Sequence, residues 1–321
     1  MNEHVRDTST RDFEVYIGEL PFGRWRTWYR VTRARPSFSE VEVVAKRSPV
    51  VVLHGGPGAA HDYLLAYAEL AAFGHDVFHY DQIGCGRSTH LPYQETAFWT
   101  TELFLDQLET VLVGLGLEGG YHLLGHSWGG MLAVEHSIRR PKGLVSLVLA
   151  DAPASIPLWM DASRYLREQL PSSVRQALDG HEGRGTLDSP DYHAALEYYY
   201  DRHVCRRDAR TVEMLRTETE IESDPSTYSS MWGPNECLVT GSLREWSSID
   251  RLHLISVPTL VVTGSNDQAT GVTIRPFLDR IPTVSWQEID GASHNPQVEA
   301  TRRCLETVAE FLQSSDITND Q

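Results

Sequence analysis

The sequence predicts an α/β fold with a mostly parallel central sheet, helices on both faces and an inserted helical cap. Three observations support this prediction. Short apolar runs, typical of strands buried on both faces, recur along the chain. Segments with helical spacing lie between these runs, and one long helical stretch interrupts the alternation. Because strands that alternate with helices form right-handed crossovers, the strands are expected to be parallel.

The predicted elements follow in chain order. Alternating apolar and polar residues between Glu14 and Arg33 predict antiparallel strands. Apolar runs then predict parallel strands at residues 50–53, 77–80, 121–124, 144–149, 259–262 and 284–286. Helical spacing predicts helices near residues 63–72, 104–115, 128–139, 274–278 and 298–312. The last residues, 314–321, are predicted to form a loose tail.

The interruption divides the predicted core into two parts. Between residues 154 and 246 the sequence has charged segments with helical spacing and aromatic clusters, without a clear buried strand. We therefore predict a first part of the core at residues 1–153, a helical cap at 154–246 and a second part of the core at 247–321.

Composition limits the possible partners. A formal net charge of −16 disfavours nucleic acid and an anionic membrane surface, because binding either normally requires a Lys/Arg surface. No stretch approaches the roughly 20 apolar residues that span a bilayer. The polar N-terminal residues lack the apolar core of a signal peptide, and the four cysteines have no metal-ligand spacing. We expect a soluble, cytoplasmic protein.

A nucleophile motif follows the third predicted parallel strand. The residues GHSWG at 125–129 match G-x-S-x-G, the nucleophile elbow of the α/β-hydrolase fold, between a predicted strand and a predicted helix. Residues without bulky side chains two positions either side permit the strained turn. The same residues can form a simple turn with a capping serine, but their position favours Ser127 as a catalytic nucleophile.

Serine requires a base, and the base requires an orienting acid. His294 follows the last predicted strand and Asp267 follows the strand before it, which agrees with the Ser, acid, His chain order of this fold. Asp151, after the strand at 144–149, is the fallback acid, whereas Asp290 is too close to His294 in the same loop. We predict a triad of Ser127, Asp267 and His294.

A glycine-rich segment supplies candidate oxyanion donors. HGGPG at residues 54–58 directly follows a predicted strand, and its glycines let backbone N–H groups approach the attacked carbonyl. We predict that the oxyanion hole combines the N–H groups of Gly56 and Trp128. Read alone, the glycines would indicate only a turn. The sequence contains neither HExxH nor a phosphate loop, so neither a metal nor another cofactor is expected.

Four motifs together resemble the proline iminopeptidases. They are HGGPG at 54–58, DQIGCGRS at 81–88, GHSWGG at 125–130 and MWGPNE at 231–236. The resemblance extends from about Glu14 to Leu312. It implies a metal-free serine aminopeptidase that removes N-terminal proline or another residue from short peptides under a helical cap. The family also contains amino-acid amidases.

The resemblance also implies how the substrate is held. Glu236 is expected to bind the free α-ammonium group, with Trp232 and Gln268 as further substrate-binding residues. Closely similar members carry a glutamate where Gln268 follows the predicted catalytic aspartate, and DQRG is common where this chain has DQIG at 81–84. The expected partner is a small peptide or amide with a free amino terminus, and the oligomeric state stays open.

Three functions remain compatible with the sequence. The first is an N-terminal exopeptidase, and the second is a broader amino-acid amidase or carboxylesterase with the same triad. The third, a non-catalytic receptor that uses the pocket only for binding, is disfavoured because every triad position and both oxyanion positions are filled. Epoxide hydrolases and dehalogenases are disfavoured because they resemble this scaffold with an aspartate where Ser127 stands.

Overall fold

One mixed sheet organises the protein. The computed structural model describes residues 5–7, 13–35 and 47–319, and nine strands form a sheet in the order β1-β2-β3-β5-β4-β6-β7-β8-β9. Strands β1 to β3 and β5 pair antiparallel, and from β5 to β9 all neighbours are parallel. The strands are β1 Val5–Asp7, β2 Phe13–Phe22, β3 Trp25–Ala34, β4 Val50–Leu53, β5 Val77–Tyr80, β6 Tyr121–His126, β7 Leu144–Ala150, β8 Thr259–Gly264 and β9 Val284–Ile289.

Helices flank the sheet and fill the segment between β7 and β8. In the described part of the chain, no helix is long and apolar enough to cross a membrane. The α-helices are α1 Thr101–Gly114, α2 Trp128–Ile138, α3 Ile156–Glu168, α4 Ser172–Arg184, α5 Pro190–His203, α6 Val212–Ser223, α7 Ser226–Met231, α8 Gly271–Arg280, α9 Pro296–Glu299 and α10 Thr301–Asn319.

The central strands are buried because each contributes to an apolar core on both faces. In β4, Val51 and Leu53 belong to one core cluster, whereas Val50 and Val52 belong to the cluster on the other face. Side chains of a strand alternate between faces, so a strand covered on both sides requires a continuous apolar run. The predicted α/β fold and its parallel strands are confirmed.

The segment between β7 and β8 carries five α-helices, α3 to α7, and no strand of the central sheet, in a stretch that is fully described. It has an apolar cluster of its own, which includes Leu178, Tyr192 and Tyr199. This arrangement fits the predicted cap, whose boundaries at residues 154 and 246 stay a prediction.

The first predicted helix differs in type from the expectation. Residues Asp62–Phe73 form a 3₁₀ helix, which has three residues per turn. Leu64, Tyr67 and Leu70 are all fully buried, and a three-residue repeat places them in one line toward the core. Tertiary packing therefore selects the tighter helix.

The predicted tail is wrong for most of its length. Helix α10 continues to Asn319, and residues 320–321 lie outside the described part of the chain. Ser315 is buried, and Asp316 accepts a hydrogen bond from Nε2 of His122 at 3.1 Å. Because His122 is fully buried at the start of β6, this contact fixes the end of α10 to the sheet.

We predict that Asp316→Ala lowers the free energy of unfolding by about 1–2 kcal/mol, because it removes the acceptor of a buried histidine N–H. Urea unfolding followed by tryptophan fluorescence measures the change. Glu310→Ala, which alters an exposed carboxylate on the same helix, is the control and should cost less than about 0.5 kcal/mol. An equally small cost for Asp316→Ala would contradict the docking of the last helical turn.

Candidate active site

A strained turn presents Ser127. The residue lies between β6 and α2 with φ 53° and ψ −121°, a conformation that non-glycine residues rarely adopt. The turn requires close backbone contacts, since a Cβ at Gly125 would clash with the carbonyl of Gly129, and a Cβ at Gly129 would clash with the carbonyl of Leu53. Gly125 therefore allows α2 to begin close to β6, and Gly129 allows α2 to pack against the end of β4.

His294 and Asp267 form a buried pair. Nδ1 of His294 donates to Oδ1 of Asp267 at 2.7 Å, and the same oxygen accepts from the N–H of Ala269 at 2.8 Å. Both side chains are almost completely buried. Burial by itself raises the pKa of Asp267, but His294 and the hydrogen bonds lower it below its ordinary value. The pair has the geometry of an acid that orients a histidine.

Ser127 and His294 line the same cavity. Nε2 of His294 is buried and has no hydrogen-bond partner among the described residues. With Nδ1 bonded to Asp267, Nε2 is the nitrogen available to accept a proton. Contacts between nucleophile and base are often loose without substrate and tighten when it binds.

A neutral histidine holds the backbone of His294. Nε2 of His126 lies 2.8 Å from the carbonyl oxygen of His294, to which it donates. The hydroxyl of Tyr63 then donates to Nδ1 of His126 at 2.8 Å and accepts from the N–H of Gly55 at 2.8 Å. Burial lowers the pKa of His126 to about 3. This chain of neutral hydrogen bonds joins the loop after β4, the end of β6 and the loop after β9.

Glu299 fixes the other side of the histidine loop. Its Oε2 accepts from both the N–H and the hydroxyl of Ser293 at 2.6 Å. Its Oε1 accepts from the N–H of Arg206, in the segment after α5, at 3.0 Å. Because Ser293 directly precedes His294, these bonds restrict the loop that carries the base.

Gly56 and Trp128, whose N–H groups are the predicted oxyanion donors, lie in the loop after β4 and at the start of α2. Gly56 lines the cavity with φ 108°, and a Cβ there would come within 2.6 Å of the nitrogen of Ala59, so only glycine fits. Trp128 is the first residue of α2, where a backbone N–H has no acceptor within the helix. The indole of Trp128 donates to Gln82 at 2.9 Å, and Gln82 donates to the carbonyl of His54 at 2.9 Å.

The cavity above these groups has a volume of about 390 Å³. The core loops form its floor, and α6 and α7 with the loop after α7 form much of its wall. Helix α6 contributes both apolar and acidic side chains, and the lining includes Gly56, Ser127, His294, Met214, Ile221 and Glu236.

Glu236 is held in the cavity wall by hydrogen bonds. Oε1 accepts from the hydroxyl of Tyr228 at 2.8 Å, and Oε2 accepts from Nε2 of Gln268 at 3.4 Å. Its backbone N–H donates to the hydroxyl of Tyr200 at 3.1 Å. Burial raises the pKa of Glu236, although His294, Tyr228 and Gln268 each act to lower it. Among the described residues, the partners of its carboxylate oxygens are a phenol and an amide, neither of which is cationic.

Comparisons with known proteins agree with this geometry. A family model described as alpha/beta hydrolase fold matches residues 48–301. A proline iminopeptidase of Lactobacillus delbrueckii subsp. lactis is 34% identical over 300 residues, which cover 92% of this chain and 98% of the relative. The chain belongs to the proline iminopeptidase family of α/β hydrolases.

Solved structures support the same relationship. The crystal structure of a proline iminopeptidase of Mycobacterium smegmatis matches with a TM-score of 0.87 and 44% identity over 94% of this chain and 99% of that chain. The crystal structure of VinJ matches with a TM-score of 0.88 and 46% identity over 93% and 98% of the two chains.

The structure corrects the expected place of Trp232. This residue is fully buried and is not among the residues that line the cavity. Its ring packs edge-on against Trp159 with centroids 5.6 Å apart, and its Nε1 donates to the carbonyl of Asn235 at 3.1 Å. Because the indole is occupied by these contacts, Trp232 supports the loop that carries Glu236 and has no face free for substrate.

Gln268 also lies behind the cavity wall. It is almost fully buried and reaches the site through its hydrogen bond to Glu236. Its Oε1 has no hydrogen-bond partner among the described residues. The family resemblance implies that closely similar proline iminopeptidases carry a glutamate at the position of Gln268. The amide differs in that it donates to Glu236 and adds no negative charge.

In the described part of the chain, two groups of three side chains each hold possible metal-ligating atoms within 4.8 Å of one another. They are His75, His122 and Asp316, and Asp151, Asp267 and His294. In the second group, the hydrogen bond between His294 and Asp267 accounts for part of the short distances.

Sequence reasoning missed the residues that support the histidine. Tyr63 and His126 lie 63 positions apart, and His126 and the carbonyl of His294 lie 168 apart. No spacing rule connects such positions. Asp290, which the sequence analysis rejected as the catalytic acid, is exposed. Asp151, the fallback acid, lies beside Asp267.

The pKa of His294 sets the expected pH dependence. Burial by itself lowers this pKa, but Asp267, together with Glu236, raises it above its ordinary value. Because only neutral His294 can accept a proton, we predict that kcat/KM falls toward acid pH with an apparent pKa above about 6.5. An ester without an amine should be the substrate, so that no substrate group titrates. A profile that stays flat down to about pH 4 would contradict a histidine base.

Proposed function

We propose that the protein is a serine aminopeptidase that releases one N-terminal residue, proline or another, from short peptides or amides. The observation that carries this proposal is the position of Glu236. Its carboxylate lines the same cavity as Ser127 and His294, and the cavity is enclosed by the helices between β7 and β8. A nucleophile and a carboxylate in one small cavity match a substrate whose carbonyl lies close to a free ammonium group.

The proposed reaction proceeds through an acyl-enzyme. Oγ of Ser127 attacks the carbonyl carbon of the first residue, and its proton passes to Nε2 of His294. Asp267 stabilises the imidazolium that forms. The imidazolium then protonates the leaving nitrogen as the amide bond breaks. A water molecule, deprotonated by the same histidine, hydrolyses the ester and releases the amino acid.

The negative charge that develops on the carbonyl oxygen needs hydrogen-bond donors that are already in place. We assign this role to the N–H groups of Gly56 and Trp128. The side chain of Gln82 bonds both to the indole of Trp128 and to the carbonyl of His54, which ties the two donor loops together. Little reorganisation is then required when the oxyanion forms.

Recognition of the amine is proposed to rest on Glu236. Its raised pKa means that burial disfavours the free carboxylate, and a substrate ammonium beside it restores the charged form. The hydroxyl of Tyr228 fixes one oxygen, and Gln268 fixes the other. With one acid instead of two near the ammonium, charge supplies less of the selectivity for a free amine, so discrimination against substrates without an amine should be weaker than with two acids.

The four cysteines are all buried free thiols, which supports the proposed cytoplasmic location because reducing compartments keep thiols unpaired.

We predict that Glu236→Gln lowers kcat/KM for substrates with a free α-amine, with a loss of transition-state stabilisation of about 2–3 kcal/mol. The reason is that a neutral amide no longer balances the desolvated ammonium. Simple acyl esters of similar size should be nearly unaffected. Steady-state kinetics on matched amino-acid esters and their deaminated analogues measures the ratio between the two substrate classes.

Glu222→Gln is the matched control for this experiment. Glu222 also lines the cavity, but it is exposed on α6, so solvent and salt screen its charge. The Glu222→Gln variant should leave the ratio of kcat/KM between amine-bearing and amine-free substrates nearly unchanged. An equal loss on both classes in Glu236→Gln would overturn the aminopeptidase proposal and favour the broader amidase or carboxylesterase.

A further inference from the structure

Asp151 occupies the carboxyl edge of the sheet between the nucleophile and the acid. It directly follows β7, has φ 53° and is fully buried. Its N–H donates to the carbonyl of Val262 in β8 at 2.8 Å. The proposed mechanism uses no atom of this carboxyl, and a buried carboxyl without a function or partner is costly.

The carboxyl of Asp151 faces that of Asp267. One of its oxygens lies within 4.8 Å of a carboxylate oxygen of Asp267 and of a ring nitrogen of His294. Oδ1 of Asp151 accepts from the N–H of Gly264 at 3.2 Å. Oδ2 of Asp151 and Oδ2 of Asp267 both lack a donor among the described residues. Two acceptor oxygens are therefore left without hydrogen atoms in the same buried space.

Among the described residues, no cation near Asp151 is available to neutralise it. Nε2 of His126 is 3.7 Å from Oδ2 of Asp151, but its proton is directed to the carbonyl of His294. Burial lowers the pKa of His126 and keeps it neutral, and Tyr63 donates to its other nitrogen. The Nδ1 proton of His294 is used by Asp267. The remaining titratable neighbours are the thiol of Cys304 and the phenols of Tyr63 and Tyr67, which carry no positive charge.

We propose that Asp151 is protonated and that its Oδ2–H donates a hydrogen bond to Oδ2 of Asp267, which makes Asp151 a positioning residue for the triad. The catalytic consequence rests on the proposed roles of Asp267 and His294. The protonation itself does not.

The electrostatic environment supports one proton on this pair. Burial, together with the neighbouring Asp267, raises the pKa of Asp151 well above its ordinary value. The pKa of Asp267 is held below its ordinary value by His294 and by hydrogen bonds, one of them from Asp151. Two carboxylates this close cannot both ionise readily, so one keeps its proton, and that one is Asp151.

This hydrogen bond has two consequences. Asp267 receives donors on both oxygens, from His294 and Ala269 on Oδ1 and from Asp151 on Oδ2, which fixes the carboxylate plane toward the imidazole. The donated proton also withdraws charge from Asp267 and makes it a weaker partner for the imidazolium. Asp151 thus limits how far Asp267 raises the pKa of His294.

Asp151→Asn tests the protonation state. An asparagine can accept from Gly264 through its oxygen and donate to Asp267 through its NH₂, as the protonated acid does, and asparagine tolerates a positive φ. We predict that this variant keeps kcat/KM within about threefold and leaves the pKa of His294 in place. If Asp151 were ionised, the substitution would remove a negative charge and move the pKa of His294 to lower pH.

Asp151→Gly removes the donor at a backbone conformation that glycine adopts without strain. We predict that it lowers kcat by about tenfold and moves the acid limb of kcat/KM to higher pH, because Asp267 becomes more basic. Asp290→Asn, an exposed carboxyl beside the histidine loop, is the control and should change neither.

Two spectroscopic measurements need no substrate and separate this proposal from the proposed function. The infrared spectrum at neutral pH should contain a carbonyl band of a protonated carboxylic acid that Asp151→Asn removes and Asp290→Asn retains. Histidine NMR should show the same pKa for His294 in the wild type and in Asp151→Asn. The absence of the band, or a lower pKa for His294 in Asp151→Asn, would overturn the proposal even if the enzyme is active.

Discussion

The close approach of α2 to strand β4 is the constraint on which the site depends. Gly129 contacts the end of β4 so closely that no side chain fits there, and this contact holds Ser127 in its strained conformation. The same approach brings the first N–H of α2 beside the glycine-rich loop that follows β4. The proposed nucleophile and oxyanion donors are therefore positioned by one packing contact between α2 and β4, and the other catalytic candidates lie at neighbouring strand ends.

The support of the histidine is built from neutral groups. A protonated His126 would place a second positive charge beside His294 and disfavour the imidazolium needed in the reaction. Burial keeps His126 uncharged, while it still donates to the backbone of the histidine loop. Asp267 and Glu236 are two buried carboxyl groups whose charges act on His294. Asp267 is proposed to orient the base and Glu236 to bind the substrate amine, so each has a separate role set by its surroundings.

The sequence predicted the candidate residues whose positions depend on the ends of the strands. Ser127, Asp267 and His294 each follow an apolar run, and parallel strands bring their carboxyl ends to one edge, so chain order was sufficient to select them. The sequence did not reveal contacts between side chains that are far apart along the chain. Trp232 matched a family motif, yet its indole is buried against Trp159. Asp151 was only a fallback acid because its contact with Asp267 depends on the exact turn after β7.

Reaction with a serine-directed phosphonate tests the central claim most directly. Intact-protein mass spectrometry and peptide mapping should find one phosphonyl group, on Ser127, whose formation parallels the loss of activity and is slowed by a substrate with a free amine. Ser127→Ala should remain unmodified and fold normally. Full loss of activity with Ser127 unmodified, or full activity in Ser127→Ala, would contradict the account.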